Sequence, residues 1–140
     1  MARKDAREAA MKILYQWDML GEYKQVTLDD LALEFSLEDR DLEYIKDILD
    51  GFVLQKDKIN KIIADRTKGW TLDRLSKVDL AILRLALYEI IYRSDIPDSV
   101  SINEGVELAK KYGNEKSGAF INGVLGQYIR QDKDKMVDDR

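Results

Sequence analysis

The residues of this chain best suited to chemistry are a group of cations and an aromatic ring near its start. Arg3, Lys4, Arg7 and Lys12 stand against only Asp5 and Glu8 in residues 1–12. On a helical wheel Ala6, Ala9, Ala10, Ile13, Leu14, Trp17 and Leu20 form one apolar stripe, which places Trp17 in the core. Tyr15 projects away from that stripe, close to the directions of Lys4 and Glu8 and not far from Lys12. A ring beside cations suits a nucleic-acid strand: a base stacks on the ring, for about 1–3 kcal/mol, while lysine and arginine hold phosphates. The alternative is that Tyr15 packs under a neighbouring loop and the basic residues form a solvated face.

Composition removes most other chemistry. The 140 residues include no histidine and no cysteine, so imidazole bases, thiol nucleophiles, disulfides and metal ligands other than carboxylates are absent. No Gly-rich phosphate loop, paired-carboxylate constellation or Ser or Lys nucleophile beside a base can be picked out. No catalytic residue, metal or cofactor is therefore assigned, and a binding protein is favoured over an enzyme. The net charge of -4 argues against a general polyanion binder. The acids are concentrated: Asp29, Asp30, Glu34, Glu38, Asp39, Asp41, Glu43, Asp47 and Asp50 face only Arg40 and Lys46. That segment should repel RNA and solubilise the chain, or meet a basic protein partner; Asp138 and Asp139 are read as solvated.

The elements that must position these residues are helical throughout. The run from Trp70 to Arg93 is apolar in nearly every direction around a helix axis, through Val78, Leu80, Ala81, Ile82, Leu83, Leu85, Ala86, Leu87, Ile90 and Ile91. Such a helix must be buried by its neighbours. Arg84 and Glu89 interrupt it, and it falls short of the roughly 20 apolar residues a bilayer needs, so it is not a membrane span. Five capping boxes are predicted, at Asp5/Glu8, Thr27/Asp30, Ser36/Asp39, Ser76/Asp79 and Ser101/Glu104, each opening a helix. Gly21 closes the first helix. Gly51 is a tolerated interruption of the third, and Ile59, Ile62 and Ile63 continue the pattern into another helix ending near Lys68 and Gly69. Trp70 is expected to cover the end of the core, and Pro97 marks the turn after the central helix. Gly113 is placed as a left-handed C-terminal residue. Residues 117–128 keep a helical period, so Asn122-Gly123 is not a hairpin; Gly118, Gly123 and Gly126 suggest close approach of another helix or a ligand. The expected architecture is all-α in a single domain over residues 1–130, with a charged, disordered tail over 131–140. The charged start, MARKDAREAAMKIL, has no apolar run and predicts no signal peptide and a cytoplasmic location.

Three stretches in order carry a family resemblance: RKDAREAAMKILYQWD, LSKVDLAILRLALYEI and SVSINEGVELAKKYGNEKSGAFINGVLGQY. Together they span nearly the whole chain and resemble the NusB family of bacterial transcription antitermination factors. The resemblance implies two packed helical bundles around the central helix and no enzymatic activity. It implies binding of single-stranded boxA RNA together with the small-subunit ribosomal protein NusE, within an RNA polymerase elongation complex reading through ribosomal RNA operons. It places RNA contacts on Arg3, Lys4, Arg7, Tyr15, Asp73, Lys116 and Phe120, with Lys12 added from the wheel, and a NusE-facing position on Asp79. For Phe120 core packing is the alternative; for Asp79 it is the capping-box carboxylate. Asp73 would accept from a base amino group, as carboxylates accept from cytosine. Asp5 interrupts an arginine run that is denser in many family members, so RNA affinity should lean on the partner. Three or four neutralised phosphates would give a log–log salt slope of about -2 to -3. Some relatives self-associate, and a homodimer covering the N-terminal basic surface would block RNA. A module of the same fold that binds only protein, using the acidic segment, is the second reading. An enzyme is the third: NusB-like domains occur fused to RNA methyltransferases, but no cofactor-binding βαβ unit is present in this sequence.

Overall fold

A computed structural model describes residues 4–67 and 75–131. They form α1 (Lys4–Leu20), α2 (Gln25–Glu34), α3 (Asp39–Asp65), α4 (Lys77–Tyr92), α5 (Asp98–Tyr112) and α6 (Ser117–Gln131), with no strand among them. Two bundles share α4, which packs against α1 and α3 on one side and against α5 and α6 on the other. This is the position its sequence demands, since every residue from Asp79 to Ile91 is buried. Among the described residues no helix is long and apolar enough to cross a membrane. Trp70, the turn at Asp73 and the segment beyond Gln131 lie outside the described residues, as does Arg3.

The helix ends differ from expectation in an instructive way. Of the five predicted boxes only Ser76 is an N-cap, its Oγ accepting from Asp79 N at 3.3 Å. Asp79 does not complete that box; among the described residues its Oδ1 is buried with no hydrogen-bond partner. Helix α1 already includes Lys4, and α2 begins at Gln25, so Asp5 and Thr27 are interior positions. The Thr27 hydroxyl instead accepts from Gln16 Nε2 at 3.0 Å, tying α2 to α1. Helix α3 is capped by Glu38 and Asp41, which satisfy each other's backbone donors, while Ser36 sits outside with φ of 51°. Helix α5 starts at Asp98, leaving Ser101 and Glu104 free to find tertiary partners. A serine or acid pair three residues apart also lies on one face of any helix, so the spacing alone cannot separate a cap from an interior pair.

Two expected helices are one. Helix α3 runs 27 residues without a break and carries Phe52, Ile59, Ile62 and Ile63 into the core. Gly51 within it is required by close approach, since a Cβ there would overlap the hydroxyl and ring of Tyr88. Gly21 ends α1 as expected, and does so as a left-handed stop, with φ of 78° and its N–H donating to Trp17 O at 2.7 Å. Gly113 is not left-handed, with φ of -91°; its N–H donates to Ala109 O at 2.8 Å. A side chain there would collide with Ser117. Among the described residues nothing lies within 4 Å of where a side chain on Gly123 would begin, and one on Gly126 would meet only the Arg130 side chain, so neither marks helix contact. Leu20, expected on the buried stripe, is 55% exposed at the end of α1.

Candidate nucleic-acid interface

The outer face of α1 divides the predicted cations into two groups. Lys4 is exposed and pairs with Glu104 at 3.2 Å, and Tyr15 is 38% exposed, as the wheel requires. Tyr15 is thus partly open to solvent. Lys12 is half-buried, with its Nζ 5.6 Å from the Phe35 ring centroid and 5.4 Å from that of Tyr112. These contacts hold the ammonium beside α5 by cation–π attraction. Trp17 packs inward, edge-on to Phe52 at 5.3 Å.

Arg7 is placed otherwise than expected. It is 3% exposed, and its Nε donates to Glu89 Oε2 at 2.8 Å while Nη2 donates to Oε1 at 3.3 Å. Glu89 also accepts from the Tyr44 hydroxyl and from Ser101 Oγ at 2.8 Å, so one buried carboxylate joins α1, α3 and α5 to α4. Burial opposes the Arg7 charge, but the Glu89 hydrogen bond and charge outweigh it and raise its pKa. Burial and the Glu89 charge together push the Tyr44 phenol well above its ordinary range. A guanidinium 3% exposed and bonded to both Glu89 oxygens has little surface to offer a phosphate. Wheel logic missed this because the partner is 82 residues away in sequence. The available signal was Glu89 itself, a charge within a helix buried on every side, which required an opposite charge from elsewhere.

The second cluster forms where α6 begins. Ser117 is buried at the first position of α6, and its Oγ accepts from Asn114 N at 3.0 Å, which fixes the α5–α6 connection. Lys116 is exposed and Phe120 half-buried against the core. Both line a cleft of about 450 Å³ with Leu75, Ser76 and Asp79. The structure therefore brings Asp79 beside Lys116 and Phe120, although the resemblance separated them into partner-facing and RNA-facing positions. The two clusters adjoin through Tyr112, the last residue of α5, whose ring lies under Lys12 and whose chain continues directly to Asn114 and Lys116. The ring that ammonium groups flank is Tyr112, with Lys12 Nζ and Lys111 Nζ each 5.4 Å from its centroid. Among the described residues no cluster of three or more acidic side chains is placed to hold a metal ion.

Comparison with known proteins gives this arrangement a family. The NusB family model matches residues 4–130. The chain belongs to the NusB family. Among relatives, it is 45% identical to the transcription antitermination protein NusB of Acetivibrio thermocellus, over 93% of this chain and 90% of that protein. It is 46% identical to the protein of the same name from Ruminiclostridium cellulolyticum, over 94% and 91%. Among solved structures, NusB of T. maritima is similar with a TM-score of 0.82 at 30% identity, covering 100% of both chains. A chain from the crystal structure of antitermination factors NusB and NusE in complex with dsRNA is similar with a TM-score of 0.77 at 30% identity, covering 99% of this chain and 97% of that one. The two-bundle NusB fold is therefore shared end to end.

Proposed function

We propose that this chain is a transcription antitermination factor that binds boxA RNA together with a NusE-type ribosomal protein. It would act in the cytoplasm, on the RNA polymerase elongation complex that transcribes ribosomal RNA operons. The observation that carries this reading is the exposed Tyr15 ring on the cation-bearing face of α1, in a chain similar over its whole length to NusB solved with NusE and RNA. Lys4, Lys12 and Lys116 hold phosphates, while Tyr15 and Phe120 offer stacking surfaces. Arg7 serves the site from inside, by fixing α1 against α4. Arg3 and Asp73 keep the RNA-facing roles that the resemblance implies. Asp79 lines the same cleft as Phe120 and keeps its partner-facing role at the edge of the RNA surface. The function needs no catalytic group, since recognition and assembly are its whole content.

The test is a titration of boxA-bearing RNA and of a scrambled RNA of equal length, with and without the ribosomal partner. Preferential binding of boxA, strengthened by the partner, is expected. Equal binding of both RNAs in the two conditions would refute the reading.

A further inference from the structure

Helix α1 and the start of α6 are far apart in sequence, and the last turn of α5 joins them in space. Lys111, in that turn, is exposed, and its Nζ lies 2.5 Å from Glu8 Oε1 on α1. The same oxygen accepts from the Tyr112 hydroxyl. The Tyr112 ring centroid lies 5.4 Å from Lys12 Nζ and 5.4 Å from Lys111 Nζ. Glu8 itself is buried, at 6% exposure. Burial raises its pKa, but the hydrogen bonds from Lys111 and Tyr112 prevail and hold it below its ordinary value. Beside this group a cleft of about 280 Å³ is lined by Lys4, Asp5, Glu104 and Glu107. One internal carboxylate thus neutralises an exposed ammonium at the junction of the two aromatic and cationic clusters.

We propose that this junction is part of the RNA path and that Glu8 sets its affinity: Lys111 exchanges the Glu8 carboxylate for an RNA phosphate. Lys12 holds a neighbouring phosphate, and the Tyr112 ring stays seated between the two ammonium groups. The inference rests on the RNA-binding reading above and adds Glu8, Lys111 and Tyr112 to it. A carboxylate and a phosphate offer the same ammonium equivalent charge-assisted hydrogen bonds, so they compete for it. The Lys111 side chain is 61% exposed against 8% for Glu8, so the ammonium can turn to a phosphate while the buried carboxylate keeps the Tyr112 hydroxyl and the nearby Lys12 charge. Glu8 acts as a positioning residue, since it touches no RNA in this scheme.

The experiment is a boxA RNA titration over a salt series with wild type, Glu8→Gln, Lys111→Ala and the double variant. Glutamine removes the competing charge while its amide oxygen still accepts from Tyr112, and Glu8→Gln is expected to tighten binding by about fivefold. Lys111→Ala is expected to weaken binding and to reduce the steepness of the salt slope by about 0.7, one phosphate contact on a single strand. In the Lys111→Ala background the gain from Glu8→Gln should vanish. An equal gain in both backgrounds, or an unchanged slope for Lys111→Ala, would overturn the proposal. The exposed Lys111 variant keeps the test decisive if Glu8→Gln proves unstable. Wild type that binds no boxA RNA would instead refute the broader reading.

Discussion

Replacing Arg7 with alanine is expected to lower the unfolding free energy by about 3–5 kcal/mol, read from urea denaturation followed by helical circular dichroism. The variant leaves the Glu89 carboxylate, 1% exposed, without its countercharge. Tyr44 and Ser101 still donate to it, but two neutral donors do not replace a guanidinium bonded to both oxygens. The cost is that of an uncompensated buried charge, which exceeds the net worth of the pair itself. Lys4→Ala provides the contrast: the Lys4–Glu104 pair has a side chain 74% exposed, and its loss should change stability by less than about 1 kcal/mol. A stable Arg7→Ala protein with lowered RNA affinity would show that Arg7 acts on RNA directly, against its placement here.

Phe52→Ala is expected to cost about 3–5 kcal/mol in the same measurement. Phe52 is fully buried in α3, with Trp17 edge-on at 5.3 Å and the Arg84 guanidinium 5.3 Å from its ring. The ring does more than fill volume. Arg84 donates to Asp18 at 2.7 Å and to Asn60 at 3.1 Å, so the same stack sets the angle between the C-terminal half of α1, α3 and α4. Tyr15 lies within that half of α1, and its direction depends on the stack being intact. A loss below about 1 kcal/mol would contradict the packing described.

What the sequence disclosed divides along the range of the forces involved. The all-round apolar pattern of α4 revealed the shared central helix, and the wheel isolated Tyr15, because both depend on local periodicity alone. The burial of Arg7, the tertiary use of Ser101 by Glu89 and of Glu104 by Lys4, and the seat of Lys12 on the rings of Phe35 and Tyr112 all depend on partners remote in sequence. Gly51 shows the same limit, since only the approach of Tyr88 from α4 gives its missing side chain a purpose. For the proposed interface, residue type singled out Tyr15 and the N-terminal cations as candidates, Lys116 and Phe120 coming from the resemblance alone. It did not reveal that one cation was internal, nor that Glu8, Lys111 and Tyr112 join the two clusters.

The most direct test of the account is the affinity of Tyr15→Ala for boxA RNA with the ribosomal partner present, compared with wild type at equal salt. Tyr15 is exposed and outside the core, so its unfolding midpoint should match that of wild type. Loss of one stacked base predicts a weakening of about 1–3 kcal/mol, roughly fivefold to more than a hundredfold in Kd. Unchanged affinity in a folded Tyr15→Ala protein would contradict the RNA face assigned to α1.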